Sequence, residues 1–147
     1  MKPEEYPEVR SWIESLTGSP DFVDFLTHNC SVGMWLAFSH LVNPEFIEIH
    51  GCILWERKYN RDRFEEWWQH LDGNVYAIEN TLNRFVVADV VPCEESPEND
   101  SALADIADAI AGSWEHVLAR TFPDRAFKVH VLSTDDGPTI VFHQACG

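Results

Sequence analysis

The sequence predicts an α+β fold, in which a small antiparallel sheet of about three strands packs against several helices. Apolar residues recur three or four positions apart through most of the chain up to residue 122, the spacing of amphipathic helices. Around residues 47–55 the apolar spacing changes to two, as in a strand, and residues 127–144 contain two such segments around a turn. The order α-α-α-β-α-α-α-β-β is typical of a sheet with helices mainly on one face. We expect residues 1–147 to form a single domain, because a chain of this length can bury most of its surface in one core.

The first two helices are predicted to be short. Pro7 suits the first turn of one helix, and Gly18 suits the position just past its end. The apolar face of this helix comprises Val9, Trp12, Ile13 and Leu16. Ser19 offers a capping hydroxyl for the second helix, with a proline next to it at the first helical position. The second helix is expected to direct Phe22, Phe25 and Leu26 inward.

A third helix is predicted to begin after Ser31, which can cap it. It is expected to end before Pro44, because proline disfavours helical backbone in the residue before it. Its core-facing residues are expected to be Val32, Trp35, Leu36 and Leu41. The strand over residues 47–55 follows, and we interpret Gly51 as a bulge within it.

Two further helices are predicted in the middle of the chain. Asp62 can cap the first, with Glu65 three residues later, and Gly73 follows its end. The apolar face of this helix comprises Phe64, Trp67, Trp68 and Leu71. Neighbouring tryptophans lie about 100° apart on a helix, so one of them is expected to reach a groove or an interface. Residues 85–91, after the second helix, fit either a helix or a strand.

The C-terminal part contains the longest predicted helix and a hairpin. Residues 93–100 form an acidic segment, which we interpret as an exposed loop. Apolar residues then step by three or four from Leu103 to Leu118, and Phe122-Pro123 ends the helix. The hairpin pairs residues 127–133 with residues 139–144 through a turn at residues 134–137.

The chain is strongly acidic, with 25 Asp and Glu against 10 Lys and Arg and a net charge of -15. A field of this sign repels phosphate backbones and anionic lipid headgroups, so we expect neither nucleic acid nor a membrane as a direct partner. It attracts basic proteins, and it is equally consistent with a charge that serves only solubility. No segment approaches the roughly 18 apolar residues of a membrane-spanning helix.

The cysteines indicate the redox environment. They are widely spaced, form no C-x-x-C pair, and lie at Cys30, Cys52, Cys93 and Cys146. Four cysteines are too few for a disulfide framework in a chain of 147 residues. No apolar segment follows Met1, as it would in a secretory signal. We therefore predict reduced thiols and a cytoplasmic protein.

Three histidines form a candidate metal site. If the hairpin loop has two or four residues, strand parity places His130 and His143 on the same face of the sheet. If the preceding strand lies beside the hairpin, His50 joins them, together with Glu48 and Cys52. Imidazole, carboxylate and thiol are ligands of zinc, and histidine also serves as a general acid or base. The other interpretation is that these residues only form the solvated face of the sheet.

A basic segment forms a second candidate site. Residues 57–63 contain four of the ten basic residues, around the start of a predicted helix whose first N–H groups lack intrahelical partners. Such an arrangement favours phosphate or carboxylate ligands. The candidate ligand-binding residues are Lys58, Tyr59, Arg61 and Arg63. The alternative is a solvated loop that pairs with nearby acids.

The sequence contains no catalytic motif such as H-E-x-x-H, a P-loop, G-x-G-x-x-G or G-x-S-x-G. Most of its six tryptophans are expected in the core. The first functional hypothesis is therefore a small acidic intracellular binding protein without a cofactor, whose partner is a basic protein. Inhibitors and immunity-type proteins that block nucleases are a physical precedent. The alternative is a metal-binding protein or small-ligand enzyme that uses His50, His130 and His143 with zinc or a similar divalent metal. A homodimer joined through exposed aromatic surface is compatible with both hypotheses.

Overall fold

Helices form about half of the chain in the computed structural model, which describes residues 1–145. Within these residues the α-helices are α1 (Pro7–Glu14), α2 (Phe22–Asn29), α3 (Val32–Val42), α4 (Arg61–His70), α5 (Val75–Leu82) and α6 (Pro97–Thr121). The strands are β1 (Phe46–Ile49), β2 (Cys52–Trp55), β3 (Arg84–Val86), β4 (Phe127–Thr134) and β5 (Gly137–Gln144). They form two antiparallel sheets, β1-β2 and β3-β5-β4. The predicted α+β class and the C-terminal hairpin are confirmed.

The segment predicted as a single strand, residues 47–55, is a hairpin. β1 and β2 pair antiparallel along their whole length, and only His50 and Gly51 join them. These two residues have φ angles of 50° and 82°, the positive values that a type I′ turn requires. Glycine adopts this backbone freely, and histidine is among the residues that tolerate it. The bulge predicted at Gly51 is therefore wrong, because the residue lies in a turn.

β5 is the central strand of the three-stranded sheet, between β3 and β4. The predicted hairpin of β4 and β5 turns through Asp135 and Asp136, a two-residue loop between Thr134 and Gly137. β3 comes from the stretch for which the sequence allowed either a helix or a strand. It is followed at once by a 3-10 turn over Val87–Asp89, so both elements occur in succession.

One face of this sheet packs on α6 and forms the main core. α6 buries seven residues, of which Trp114 is the largest. The indole of Trp114 lies 4.9–6.0 Å, between ring centroids, from four other aromatic rings: Phe46, Trp55, Phe85 and Phe142. Aromatic pairs at these separations add to the stabilisation from burial alone. The core thus joins both sheets to α6 around one side chain.

Two polar side chains connect the sheets to each other. Glu79 of α5 is fully buried and accepts hydrogen bonds from the backbone N–H of Ile53 in β2 (2.7 Å) and of Gln144 in β5 (2.9 Å). Asn83, directly after α5, donates from Nδ2 to the carbonyl oxygens of Ile53 (2.8 Å) and Phe142 (3.3 Å). These bonds satisfy backbone groups at strand edges, which would otherwise be buried without partners.

Two helices begin at a different residue from the one predicted. Asp21, and not Ser19, caps α2, because its carboxylate accepts two backbone N–H bonds of the first turn. Asn60, and not Asp62, caps α4, because its Oδ1 accepts the backbone N–H of Arg63. The cap must have extended backbone just before the helix, a condition that residue type alone does not reveal.

Helices α1 and α2 pack on each other and lie beside α6. Trp12 of α1 meets Phe25 of α2 edge-on, with ring centroids 5.6 Å apart. The hydroxyl of Tyr6, before α1, donates to Oδ1 of Asn99 in α6 at 2.8 Å. Leu16 and Phe22, which were expected to face inward, are 46% and 42% exposed, so that prediction is wrong for both.

Helix α3 shows the largest difference from the predicted core. The helix itself is confirmed, with Ser31 as its cap, but none of its residues is buried. Val32, Trp35 and Leu36 were expected in the core and are 86%, 47% and 60% exposed. Of the four residues predicted to face inward, Leu41 alone packs against the core. Within the described part of the chain, α6 packs only against the C-terminal end of α3 and leaves the rest of the helix exposed.

Candidate functional site

Two of the three histidines predicted to bind metal lie side by side. The two-residue hairpin loop places His130 and His143 on the same face of the sheet, diagonally across β4 and β5. Their ring centroids are 5.5 Å apart. His143 is buried and meets the ring of Tyr76 in α5 edge-on at 4.9 Å, whereas His130 is half-buried. The parity argument from the sequence is confirmed for this pair.

His50 lies apart from the pair, in the turn between β1 and β2. Its ring packs on Phe64 and Trp68 of α4, at centroid distances of 5.9 and 5.0 Å. The condition that this strand pairs with the C-terminal hairpin is not met, because β1 and β2 form a sheet of their own, which contacts β5 through the bond from Nε2 of Gln144 to the carbonyl oxygen of Gly51 at 2.8 Å. Among residues 1–145, no three His, Cys, Asp or Glu side chains are placed to hold a metal ion. Metal binding stays a prediction, and Cys146 lies outside the described residues.

The environment of His130 favours its neutral form. Burial, followed by the nearby His143 and Lys128, lowers the pKa of His130 below its usual value of 6.5. A neutral imidazole can ligate a metal or accept a proton. The pair supplies two such ligands, whereas a structural zinc site takes four protein ligands and a catalytic site three.

Three of the four residues predicted to bind an anion line one cavity. The cavity has a volume of about 240 Å³ and lies where α4 begins, α5 ends and β3 begins. Lys58, Tyr59 and Arg63 line it, while Arg61 of the same helical turn does not. Arg84 is a third cation in the lining. No local sequence signal could identify Arg84, because only the fold brings β3 to the start of α4.

The cations of this cavity have no acidic partners among the described residues. Lys58 donates from Nζ to the carbonyl oxygen of Arg84, and Arg84 donates from Nε to the carbonyl oxygen of Asn80 at 3.2 Å. Within residues 1–145, no carboxylate forms an ion pair with Lys58, Arg63 or Arg84. Burial and the neighbouring charges of Arg57 and Arg63 lower the pKa of Lys58, a change that Asp89 only partly opposes.

An exposed apolar surface on α3 is the third feature, and it was missed in the sequence. It comprises six side chains that are each at least 40% exposed, and we call it the α3 surface: Val32, Met34, Trp35, Leu36, Phe38 and Val42. At about 100° per residue these side chains span roughly 200° of the helix circumference. A signal was present, because α3 has apolar residues on all sides and no Asp, Glu, Lys or Arg.

A groove of about 410 Å³ adjoins the α3 surface. Ala37, His40 and Leu41 of α3 form one wall, and the aromatic rings of Trp55 and Phe85 contribute to the lining. Two carboxylates, Glu45 and Glu56, also line it. Arg57 lies over the ring of Trp55, with its guanidinium carbon 5.3 Å from the centroid. The groove therefore combines aromatic side chains with two carboxylates and the guanidinium of Arg57.

α3 is fixed to the rest of the molecule by its C-terminal end. Trp114 donates from Nε1 to the carbonyl oxygen of Leu41 at 2.8 Å, and Ser113 donates from Oγ to the carbonyl oxygen of Val42. Asn43 follows the end of α3, and its Oδ1 accepts a hydrogen bond from the guanidinium of Arg120 at 2.8 Å. Side chains of α6, of which only Trp114 is buried, thus hold the C-terminal end of α3 while the α3 surface faces outward. Comparison with protein-family models, curated proteins and solved structures finds no match to this chain.

Proposed function

We propose that this chain is an interaction protein that binds a basic protein partner through the α3 surface and the adjoining groove. The observation that carries the proposal is that α3, an apolar helix of 11 residues, has no buried residue. Apolar side chains in contact with water give up the stabilisation that burial provides. Contiguous apolar patches on soluble proteins commonly mark sites of interaction.

The size of the surface suits a protein partner. Six side chains that each expose on the order of 80 Å² together offer roughly 500 Å². A stable protein interface buries about 800 Å² on each partner. The adjoining groove, with its own aromatic lining, supplies further area. A partner that covers both features would therefore bury an area of the usual size.

The charge distribution favours a basic partner. The net charge of -15 attracts basic proteins at long range and speeds their association. The α3 surface itself carries no charged residue, so it can be desolvated without leaving a buried charge unpaired. In this proposal, the negative field guides the approach and the apolar surface provides most of the affinity.

The groove gives the basic partner a specific contact. A lysine or arginine side chain could enter the groove, contact the accessible edges of the otherwise buried Trp55 and Phe85, and place its charge near Glu45 and Glu56. Arg57 also lines the groove and already packs over Trp55, so a basic side chain of the partner would have to displace it from that ring. The proposal keeps the class expected from the sequence, an intracellular acidic protein comparable in charge and size to inhibitors and immunity-type proteins.

The first experiment measures the oligomeric state, because a second copy of the chain could also cover α3. The purified protein is compared with the double variant Leu36→Asp/Phe38→Asp by light scattering over a range of concentrations. The proposal expects both to be monomers with native circular dichroism. A wild-type dimer that the double variant converts to a monomer would overturn the basic-partner proposal in favour of a homodimer.

The second experiment identifies and measures the partner. A photo-crosslinking amino acid in place of Leu36 captures proteins from host extract at low and moderate salt, and the captured protein is then purified. The proposal expects a basic protein whose affinity for the chain falls at least about tenfold with Leu36→Asp/Phe38→Asp. Glu45→Gln/Glu56→Gln should weaken binding mainly at low salt and reduce its salt dependence.

Leu132→Asp is the matched control, because Leu132 is an exposed leucine on β4, outside the α3 surface. It should leave the affinity unchanged. An acidic partner, or equal binding by wild type and Leu36→Asp/Phe38→Asp, would contradict the proposal.

The alternative from the sequence, a metal-binding protein or a small-ligand enzyme, is supported by the close pair of His130 and His143. Elemental analysis of the purified protein tests it. About one equivalent of zinc, iron, nickel or copper that disappears in His130→Ala/His143→Ala would support this alternative. Metal content at background would count against it, and His50→Ala serves as the control that should not change the metal content.

A further inference from the structure

The cavity at the start of α4 has an unusual charge for this chain. Its lining contains three cations, Lys58, Arg63 and Arg84, and no Asp or Glu. The chain as a whole has 25 acids and 10 bases. A random patch of this surface would therefore be expected to contain carboxylates in excess. The absence of any in the lining makes the cavity a local positive region on a negative molecule.

The two arginines leave donors available in the cavity. Arg84 uses Nε for the carbonyl oxygen of Asn80, and Lys58 is fixed by the carbonyl oxygen of Arg84. Arg63 has no carboxylate partner among residues 1–145. Guanidinium groups bind carboxylate and phosphate oxygens with two parallel N–H bonds, so a ligand with such a group would find donors on both arginines, of which Arg84 is oriented by its bond to Asn80.

The rest of the lining is suited to an apolar group. Leu54, Phe64 and Trp67 contribute side chains from β2 and α4. The half-buried indole of Trp67 is the one of the two neighbouring tryptophans that reaches this cavity, whereas Trp68 packs on the core. Aromatic rings stack favourably on an indole. A ligand that paired its charge with the arginines could therefore bury a ring against this wall.

From these contacts we propose that the cavity binds a small organic anion, in which a carboxylate or a phosphate is joined to a flat apolar group. The volume of about 240 Å³ accommodates a small ligand. An apolar cavity of about 150 Å³ holds benzene, so there is room for one ring and its anionic group. Burial, followed by the charges of Arg57 and Arg63, lowers the pKa of Lys58, and a bound anion would raise it.

The net negative charge of the chain does not prevent this binding. At physiological salt the Debye length is about 8 Å, so distant surface carboxylates are largely screened from the cavity. The nearby cations act at hydrogen-bonding distance and are screened less. The α3 surface contributes no residue to the cavity, and the cavity shares only Trp55 with the groove beside that surface.

The test uses defined probes on the full chain. Thermal unfolding is followed with phenyl phosphate and phenylacetate, each at millimolar concentration and constant ionic strength. Inorganic phosphate and acetate serve as anions without a ring, and benzyl alcohol as a ring without charge. A ligand that binds only the folded state raises the melting temperature. We expect a clear increase with phenyl phosphate or phenylacetate, a smaller increase with the inorganic anions, and none with benzyl alcohol.

Variants then locate the site. Calorimetry then measures the affinity for whichever of phenyl phosphate and phenylacetate gave the larger increase in melting temperature. Arg63→Gln and Arg84→Gln should each lower this affinity by about 10- to 100-fold, as expected for loss of hydrogen bonds between charged groups. Arg61→Gln removes the same charge from the same helical turn but outside the cavity, and it should leave the affinity unchanged. Urea unfolding without ligand checks that all three variants fold. Quenching of Trp67 fluorescence, absent in Trp67→Phe, reports contact with the ring.

Three results would overturn the inference. One is the absence of any increase in melting temperature with every anion. Another is an equal effect of benzyl alcohol, which would indicate an apolar pocket without preference for charge. The third is an equal loss of affinity in Arg61→Gln and Arg63→Gln, because a general effect of positive charge would then explain the binding.

Discussion

Helices α3 and α6 have the same kind of N-terminal cap but differ in how much of each is buried. Each is capped by a serine hydroxyl that accepts a backbone N–H, Ser31 in α3 and Ser96 in α6. α6 buries seven of its residues between the sheets and the outer helices, and α3 buries none. Yet α3 has no Asp, Glu, Lys or Arg, while α6 carries several. Apolar composition shows that a helix tends to be covered, but it does not show whether the same chain covers it.

Alanine substitution of one tryptophan in each helix tests this difference in burial most directly. Trp114→Ala in α6 should lower the free energy of unfolding by about 3–5 kcal/mol, because it leaves a cavity among four aromatic rings. Trp35→Ala in α3 should lower it by only about 1–2 kcal/mol, since nearly half of Trp35 is exposed. Urea denaturation followed by circular dichroism measures both. A cost for Trp35→Ala close to that for Trp114→Ala would mean that α3 is covered in solution.

A buried carboxylate provides the next largest effect. Glu79→Gln should destabilise the protein by about 2–3 kcal/mol. Three N–H groups donate to the two carboxylate oxygens of Glu79, and glutamine has only one oxygen that can accept them. The new amide N–H₂ would face a backbone donor. Glu66→Gln, on the exposed side of α4, is the control and should stay within about 0.5 kcal/mol of wild type. Equal stability of the two variants would contradict the role of Glu79 in joining the sheets.

Thiol reactivity sharpens the contrast between buried and exposed regions. Burial, with a contribution from Glu79, raises the pKa of the Cys52 thiol to about 12. Near pH 8 its thiolate fraction is then about three orders of magnitude below that of an ordinary cysteine. In a Cys146→Ser background, the exposed Cys93 should react with a thiol reagent in the native state, and Cys52 should react only after unfolding. Native labelling of Cys52, read by peptide mass spectrometry, would show that the β1-β2 sheet opens easily.

The smallest effect concerns the outer face of the C-terminal sheet. Because the pKa of His130 is lowered on folding, the unfolded chain binds a proton first as pH falls below about 6.5. Stability that is complete above this pH is therefore lost as pH falls through the folded pKa. His130→Gln should reduce the drop in melting temperature between pH 7.5 and pH 5.5. An unchanged drop would show that His130 is not desolvated, and Trp35→Ala serves as a control without a titrating group.

The accuracy of the sequence predictions depended on how far the deciding contacts lie along the chain. The helix periods and the C-terminal hairpin were predicted because their signals are local, and the parity of β4 and β5 placed His130 beside His143. The turn at His50-Gly51 was missed, because a short alternating segment looks the same whether it runs straight or folds back. Because of that turn, His50, the third histidine of the predicted site, packs on α4. Three of the residues that line the cavity were predicted from the basic segment, whereas Arg84 was not.

The sequence by itself determined the class of the fold, the acidic character of the chain and the positions of most helices, because composition and apolar spacing act on neighbouring residues. Only the tertiary structure decided which apolar faces are covered, since burial requires a second surface from elsewhere in the chain or from another molecule. It buried α6, left α3 exposed, and brought Arg84 to the start of α4. The features on which function is proposed belong to this second group, because each depends on contacts between residues far apart in the sequence.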